Sequence, residues 1–194
     1  GHFEDNGLPV LLPADEDIER AENLLSNAGL TDNEFAVLAP GSVWKSKRWP
    51  VASFRELRRQ LEDNFALPVV TIGGGMDRDI CSQVVSRPER DFSGRLSPLG
   101  SAAVLKNARL LVSGDTAPAH IGTAMGTRQI IIFGSTTPRF GFAPPVAEAG
   151  FVQTRLWCRP CSDHGRNFCP NFGRYTCLTN ITPEHVIEAA RDWL

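Results

Sequence analysis

Apolar residues along this chain come in short solid runs rather than in alternation. "EFAVLA" (34–39), "PVVTIG" (68–73), "RLLVSG" (109–114) and "QIIIFGST" (129–136) each span a few residues and are each stopped by Gly, Pro or Ser. A strand buried on both faces reads this way. Between the runs the period changes. In "PVASFRELRRQLEDNF" (50–65), Phe54, Leu57 and Leu61 recur at helical spacing, with Pro50 suited to a first turn. "MDRDICSQVV" (76–85) predicts a further helix, and "RDFSGRL" (90–96) a short extended segment. "SPLGSAAVLKNA" (97–108) predicts a helix capped by Ser97, and "APAHIGTAMG" (117–126) another with Pro118 in its first turn. An irregular stretch rich in Pro and Cys follows the last run. "TPEHVIEAARDWL" (182–194) then closes the chain as a helix, with Thr182 as cap. Residues 1–33 differ in character: an extended lead-in and a helix precede the first strand.

Strands alternating with helices predict an α/β fold, a Rossmann-like parallel sheet with helices on both faces. Ligands of such sheets bind beyond the carboxyl ends of the strands. The unusual loops fall on that edge: "PGSVWKSK", "GGGMDRD", "SGDTAPAH" and "GSTTPRFG".

Composition narrows the function classes. With 194 residues, 42% hydrophobic and 22% charged, the chain reads as one sizeable globular domain. A net charge of -2 supplies no basic field for nucleic acid. The run "QIIIFG" is far short of the ~20 apolar residues of a membrane span. "GHFEDNGLPV" lacks the basic flank and apolar core of a signal peptide. Five cysteines are too few for a disulfide-built scaffold, so the expected compartment is the cytoplasm.

Two loops carry candidate chemistry. In "SGDTAPAH", free amides and the positive end of a helix dipole form an anion site, for which phosphate is the natural guest. An acid there would repel phosphate, so Asp115 suits the hydroxyls of something attached to it, such as a sugar. The plainer roles are a helix cap for Asp115 and a structural histidine for His120. "PGSVWKSKRWP" puts Ser42, Lys45, Ser46, Lys47 and Arg48 within seven residues, again between a strand and a helix. Such hydroxyls and cations fit a diphosphate, whereas a solvated basic loop is the ordinary alternative. Neither loop is a Walker motif, and G-x-G-x-x-G is absent, which disfavours a dinucleotide cofactor.

Taken in order, "PGS", "KRWP", "VVTIGGG", "GDTAPAH" and "FGSTTP" resemble the C-terminal half of family 9 glycosyltransferases, the heptosyltransferases of lipopolysaccharide core assembly. "CRPC…FCPNFGRYTCLTNITPEHV" is most similar to the heptosyltransferase II branch. The resemblance implies the C-terminal domain of a two-domain GT-B enzyme: residues 34–194 bind ADP-L-glycero-D-manno-heptose, and 1–33 include an interdomain segment. By position, Ser42 and Lys47 would hold the diphosphate and Asp115 the heptose hydroxyls. Thr116 and the Ala117 amide would lie near the phosphates, with His120 close by, and Leu96 would pack against adenine. Gly75 stands where family members place a ribose-binding acid, which leaves Asp77 or Asp79 to serve. Ala117 replaces the more usual glycine. The implied reaction is inverting transfer to the lipid A-core acceptor, requiring no metal, at the inner face of the inner membrane. Its base belongs to an N-terminal domain that these residues do not include, so this half is expected to be inactive alone. Another nucleotide sugar, or a stand-alone nucleotide-binding module, are the alternatives.

Cys158, Cys161, Cys169 and Cys177 form C-x2-C-x7-C-x7-C within the loop 157–178. A structural zinc is one use of such a set. Reduced structural thiols, or disulfides formed after purification, are the others. A zinc-stabilised interaction module is therefore a further class to test. Cys81, inside a predicted helix, reads as a small buried hydrophobe. Arg55, Arg58 and Arg59 could face an anionic membrane, though a solvated helix face is the commoner role.

Overall fold

The structure, a computed structural model, describes residues 9–30, 33–141, 143–144 and 147–194. The first part of the lead-in, residues 1–8, lies outside the described residues. Five strands build one sheet in the order β2-β1-β3-β4-β5: β1 (Ala36–Ala39), β2 (Val69–Thr71), β3 (Leu110–Gly114), β4 (Gln129–Phe133) and β5 (Ala149–Gln153). Every pairing is parallel. Ala36 to Ala39 face Leu110 to Ser113 residue for residue, so the loops after β1 and β3 leave the sheet side by side.

Because successive side chains point to opposite faces, each solid run feeds two cores. Ala36, Leu38, Leu110, Val112, Ile130 and Ile132 pack with Phe54, Leu57 and Leu61 of α2 (Val51–Phe65) and with Val186 of the closing helix. Val37, Ala39 and Leu111 point the other way, toward α1 (Asp15–Asn27) and α4 (Pro98–Lys106). Ile131 and Phe133 meet Ala119 of α5 (Ala117–Met125). Helix α1 packs on α4 and buries Ala21, Leu24 and Leu25, so this part of the lead-in shares the main core.

Local chemistry explains most helix boundaries. Ser97 Oγ accepts from the Gly100 amide at 2.9 Å, the predicted cap of α4. Pro50 is the N-cap of α2 rather than a residue within it. Two expectations need correction. "MDRDICSQVV" forms a 3-10 turn at Gly75–Asp77 and the single turn α3 (Arg78–Cys81). The Gln83 amide donates to Asp79 O at 2.6 Å, and Ser82 Oγ to the same oxygen at 3.4 Å, occupying a carbonyl that a longer helix would use. At the C-terminus, the single turn α6 (Thr176–Thr179) precedes α7 (Pro183–Ala189), which gives way to a 3-10 turn at Arg191–Trp193 instead of continuing to the end.

Strand β5 escaped the pattern. Among its five residues only Val152 is buried, so "AGFVQ" carries no apolar run. It is the sheet's edge, held by β4 and by an edge-on contact between Phe133 and Phe151 at 5.8 Å. The arginines of α2 are largely neutralised. Arg58 pairs with Glu62, and Arg59 with both Glu56 and Asp63, which favours the solvated-face reading.

Two glycines let the loop after β1 lie down on the sheet edge. A Cβ on Gly114 would stand 2.7 Å from Lys47 O, and one on Gly134 would stand 2.3 Å from Ser46 O. Both obstacles are backbone atoms, which cannot rotate aside. Gly134→Ala is therefore expected to cost about 1–3 kcal/mol in urea unfolding. Gly75, with nothing within 4 Å of an added Cβ, should accept Ala within about 0.5 kcal/mol.

Candidate functional site

The loop after β1 turns through a 3-10 segment, Lys45–Lys47, above the carboxyl ends of β3 and β4. There Lys47 Nζ donates to Asp115 Oδ2 at 2.7 Å and to Asp115 O at 3.0 Å. Thr136 Oγ1, from the loop after β4, donates to the same Oδ2 at 2.8 Å. Asp115 is 4% exposed and Thr136 is fully buried. Three adjacent strands thus contribute one side chain each to a single cluster. The other carboxylate oxygen, Oδ1, accepts no hydrogen bond from the described residues and is not closed off from solvent.

Helix α5 begins beside this cluster. Thr116 makes no side-chain cap, Pro118 has no N–H, and the Ala119 amide donates to Thr116 O at 3.0 Å. The Ala117 amide is left to serve an anion, at the positive end of the helix. Thr116, Ala117 and Pro118 line a cavity of about 520 Å³, within the range of small-molecule sites. Ser42 and Arg48 line it from the β1 loop, and Leu96 and Ser101 from the start of α4. Its apolar wall comes from Ile72, Met76, Leu96 and Ile121.

Of the residues expected from sequence, Ser42, Leu96, Thr116 and Ala117 line this cavity. Lys47 and Asp115 stand next to it, joined to each other. His120 is exposed on α5 and is not among the lining residues. Ser46 is structural: its hydroxyl pairs with Ser135 Oγ at 2.9 Å and accepts the Arg166 amide at 2.9 Å. For the ribose position, Gly75 and Asp77 line the cavity whereas Asp79 does not. The Asp77 carboxylate already accepts the Gly74 amide at 2.9 Å. Sequence reading named Arg48 only as one of the loop's cations and gave Thr136 no role. Arg48, visible in the basic run, donates from Nε to Ser42 O at 2.5 Å and fixes the loop. Thr136 lies in "GSTTPRFG", where no residue type distinguished it from its neighbours.

The sequence model of glycosyltransferase family 9 (heptosyltransferase) matches residues 8–170. The chain belongs to that family. Lipopolysaccharide heptosyltransferase 1 of Pseudomonas aeruginosa is 30% identical over 128 residues, which is 66% of this chain and 36% of that protein. Among solved structures, E. coli ADP-heptose lps heptosyltransferase II matches with a TM-score of 0.72 at 18% identity, covering 95% of this chain and 53% of that one. E. coli heptosyltransferase WaaC with ADP matches with a TM-score of 0.65 at 20% identity, covering 90% and 48%. The chain thus spans roughly a third to a half of these proteins. The expected fold holds: this is the Rossmann-like parallel sheet of GT-B family 9 enzymes.

In this family 9 chain the four clustered cysteines, like Cys81, are unpaired thiols. Among the described residues no set of three or more His, Cys, Asp or Glu is arranged to hold a metal ion. Arg159 runs between the cysteine loop and the sheet edge. Its guanidinium donates to the carbonyls of Gly134, Thr154 and Thr136, the last at 2.8 Å. Burial works against the charge of Arg159, and the neighbouring cysteines work for it. Burial pushes the Cys177 thiol up to about 11 and the Cys81 thiol to about 12, and raises Cys161 as well. The thiolate is the nucleophile, so these shifts set an order of reactivity. In chain first stripped of any metal with a chelator, peptide mass spectrometry after iodoacetamide at pH 8 should find the half-buried Cys158 and Cys169 labelled first and Cys161 later. Cys177 and Cys81 should react only once the chain unfolds.

No helix among the described residues is long and apolar enough to cross a membrane.

Proposed function

We propose that this chain is the nucleotide-sugar-binding domain of a heptosyltransferase that transfers heptose from ADP-L-glycero-D-manno-heptose to the inner core of lipopolysaccharide. The observation that carries this reading is one cavity with two kinds of lining. Leu96 and Ile121 offer an apolar wall for a base, while the Ala117 amide, with Lys47 beside it, offers positive charge for a diphosphate. Ser42 and Thr116 line the same cavity, and Asp115 Oδ1, on the residue before Thr116, is left to accept a sugar hydroxyl. His120 stands outside this frame, one turn along α5. Asp77, which lines the cavity near Gly75, is the better placed carboxylate for the ribose.

In the proposed reaction an acceptor hydroxyl attacks the anomeric carbon with inversion. The bond from that carbon to the phosphate oxygen breaks, ADP leaves, and the hydroxyl proton passes to a carboxylate base. Lys47 and the α5 N-terminus stabilise the charge that develops on the departing diphosphate. Base and lipid A-core acceptor site are assigned to a domain outside these 194 residues, so the chain alone should bind donor and transfer nothing. No metal is required, and the work takes place at the cytoplasmic face of the inner membrane, with peripheral contact at most.

Gly75 favours one competing reading. With no acid at that position, a family 9 enzyme using another nucleotide sugar fits the same cavity. Thermal unfolding with ADP, ADP-heptose, UDP and GDP separates the two. A ligand at ~100 times its dissociation constant adds about 2.7 kcal/mol, several degrees of shift. ADP and ADP-heptose should shift the wild type, and Lys47→Ala and Asp115→Ala should abolish the shift. A response to UDP alone would remove heptose and keep the family; no response to any nucleotide from a folded chain would overturn the donor-site reading.

We also infer a structural zinc at Cys158, Cys161, Cys169 and Cys177. Its support is donor chemistry alone: four unpaired thiols within one irregular loop. Elemental analysis should find about one zinc per chain, with all four thiols protected from alkylation. A metal-free folded chain with reactive Cys158 would sink the idea.

A further inference from the structure

The hydroxyl of the fully buried Thr136 has one partner among the described residues, Asp115 Oδ2 at 2.8 Å. That oxygen also takes Lys47 Nζ, at 2.7 Å. Lys47 spends a second ammonium proton on Asp115 O at 3.0 Å, and its third has no partner among the described residues. The side chain of Lys47 is 11% exposed. Its position is therefore set by Asp115, not by water.

A carboxylate alone would not fix that position. Rotation about the terminal torsion of Asp is broad, so the carboxylate plane could swing while one oxygen keeps the ammonium. Thr136 narrows that swing by adding a second donor to the same oxygen. Its donor comes from the buried side and marks one oxygen as the inner one, which leaves Oδ1 toward the solvent side. The backbone of Thr136 is held in turn, because its carbonyl accepts Arg159 Nη2 at 2.8 Å.

We propose that Thr136 is a positioning residue for the diphosphate site: its hydroxyl orients Asp115, and Asp115 places the Lys47 ammonium where a diphosphate meets it. The inference rests on the donor-site reading above and adds to it a residue that touches no ligand. It follows that Thr136 governs phosphate binding and leaves the base-binding end of the cavity alone. A hydrogen bond to a charged group is strong enough for its loss to weaken ADP binding at least about tenfold.

The test compares wild type, Thr136→Val and Thr136→Ser in the full 194-residue chain, with ADP and with adenosine, by titration and ligand-observed NMR. Thr136→Val should lose at least about tenfold in ADP affinity and keep its adenosine affinity, and Thr136→Ser should recover ADP. In a Lys47→Ala background, Thr136→Val should cause no further loss. A second readout needs no ligand. Acetic anhydride labelling of Lys47, measured against exposed Lys45, should rise severalfold in Thr136→Val. Unchanged ADP affinity, or equal losses for ADP and adenosine, would overturn the positioning role while the donor site stands. If wild type bound no ADP, the donor-site reading would fail, and an unchanged Lys47 to Lys45 labelling ratio would by itself overturn the positioning of Lys47. Should Thr136→Val not fold, Thr136→Ala carries the same comparisons.

Discussion

The contact between Lys47 and Asp115 ties the sheet to its functional edge. The two residues are 68 positions apart, yet they stand on loops that leave neighbouring parallel strands. Register alone brings those loops together, and the glycines ending β3 and the β4 loop let the Lys47 backbone settle onto the edge. A pair this buried loses hydration on both sides, and its attraction repays that loss only when the remaining lone pairs and protons find partners. Here that is met in part: Thr136 supplies a second donor to Oδ2 and Asp115 O a second acceptor to the ammonium, while Oδ1 and one ammonium proton keep no partner among the described residues.

Most of the fold was legible because burial on two faces leaves a plain mark. The runs at 34–39, 68–73, 109–114 and 129–136 became β1 to β4, and their alternate residues feed opposite cores. Where burial was partial, the mark faded. Strand β5, at the edge, keeps one buried side chain in five, so its sequence resembles a loop. Helix α3 failed for a different reason. Its helical spacing was real, but Ser82 and Gln83 turn their side chains back onto Asp79 O, a local competition that periodicity does not register.

The site was legible in its loops and not in its bonds. Asp115, Lys47 and Ser42 were visible because an acid, a cation and a hydroxyl at the mouths of strand-to-helix turns are chemically conspicuous. Thr136 was not, since a threonine in a polar turn has many uses, and only the distance to Asp115 Oδ2 singles one out. His120 shows the converse. It sits in the most conspicuous motif of the chain, yet helical geometry carries it away from the cavity wall.

An acid beside the proposed phosphate site is an apparent contradiction, and the hydrogen bonds on Asp115 ease it. A bare carboxylate as near to a diphosphate as Lys47 would oppose it about as strongly as Lys47 attracts it. With Oδ2 shared between an ammonium and a buried hydroxyl, its charge is drawn inward, and the outward Oδ1 is left to accept hydroxyl protons. On the proposed donor reading the two oxygens would have separate duties, one organising the cation and one accepting from the sugar. The division depends on a donor from a third strand, so all three loops must be in place before any one of them can work.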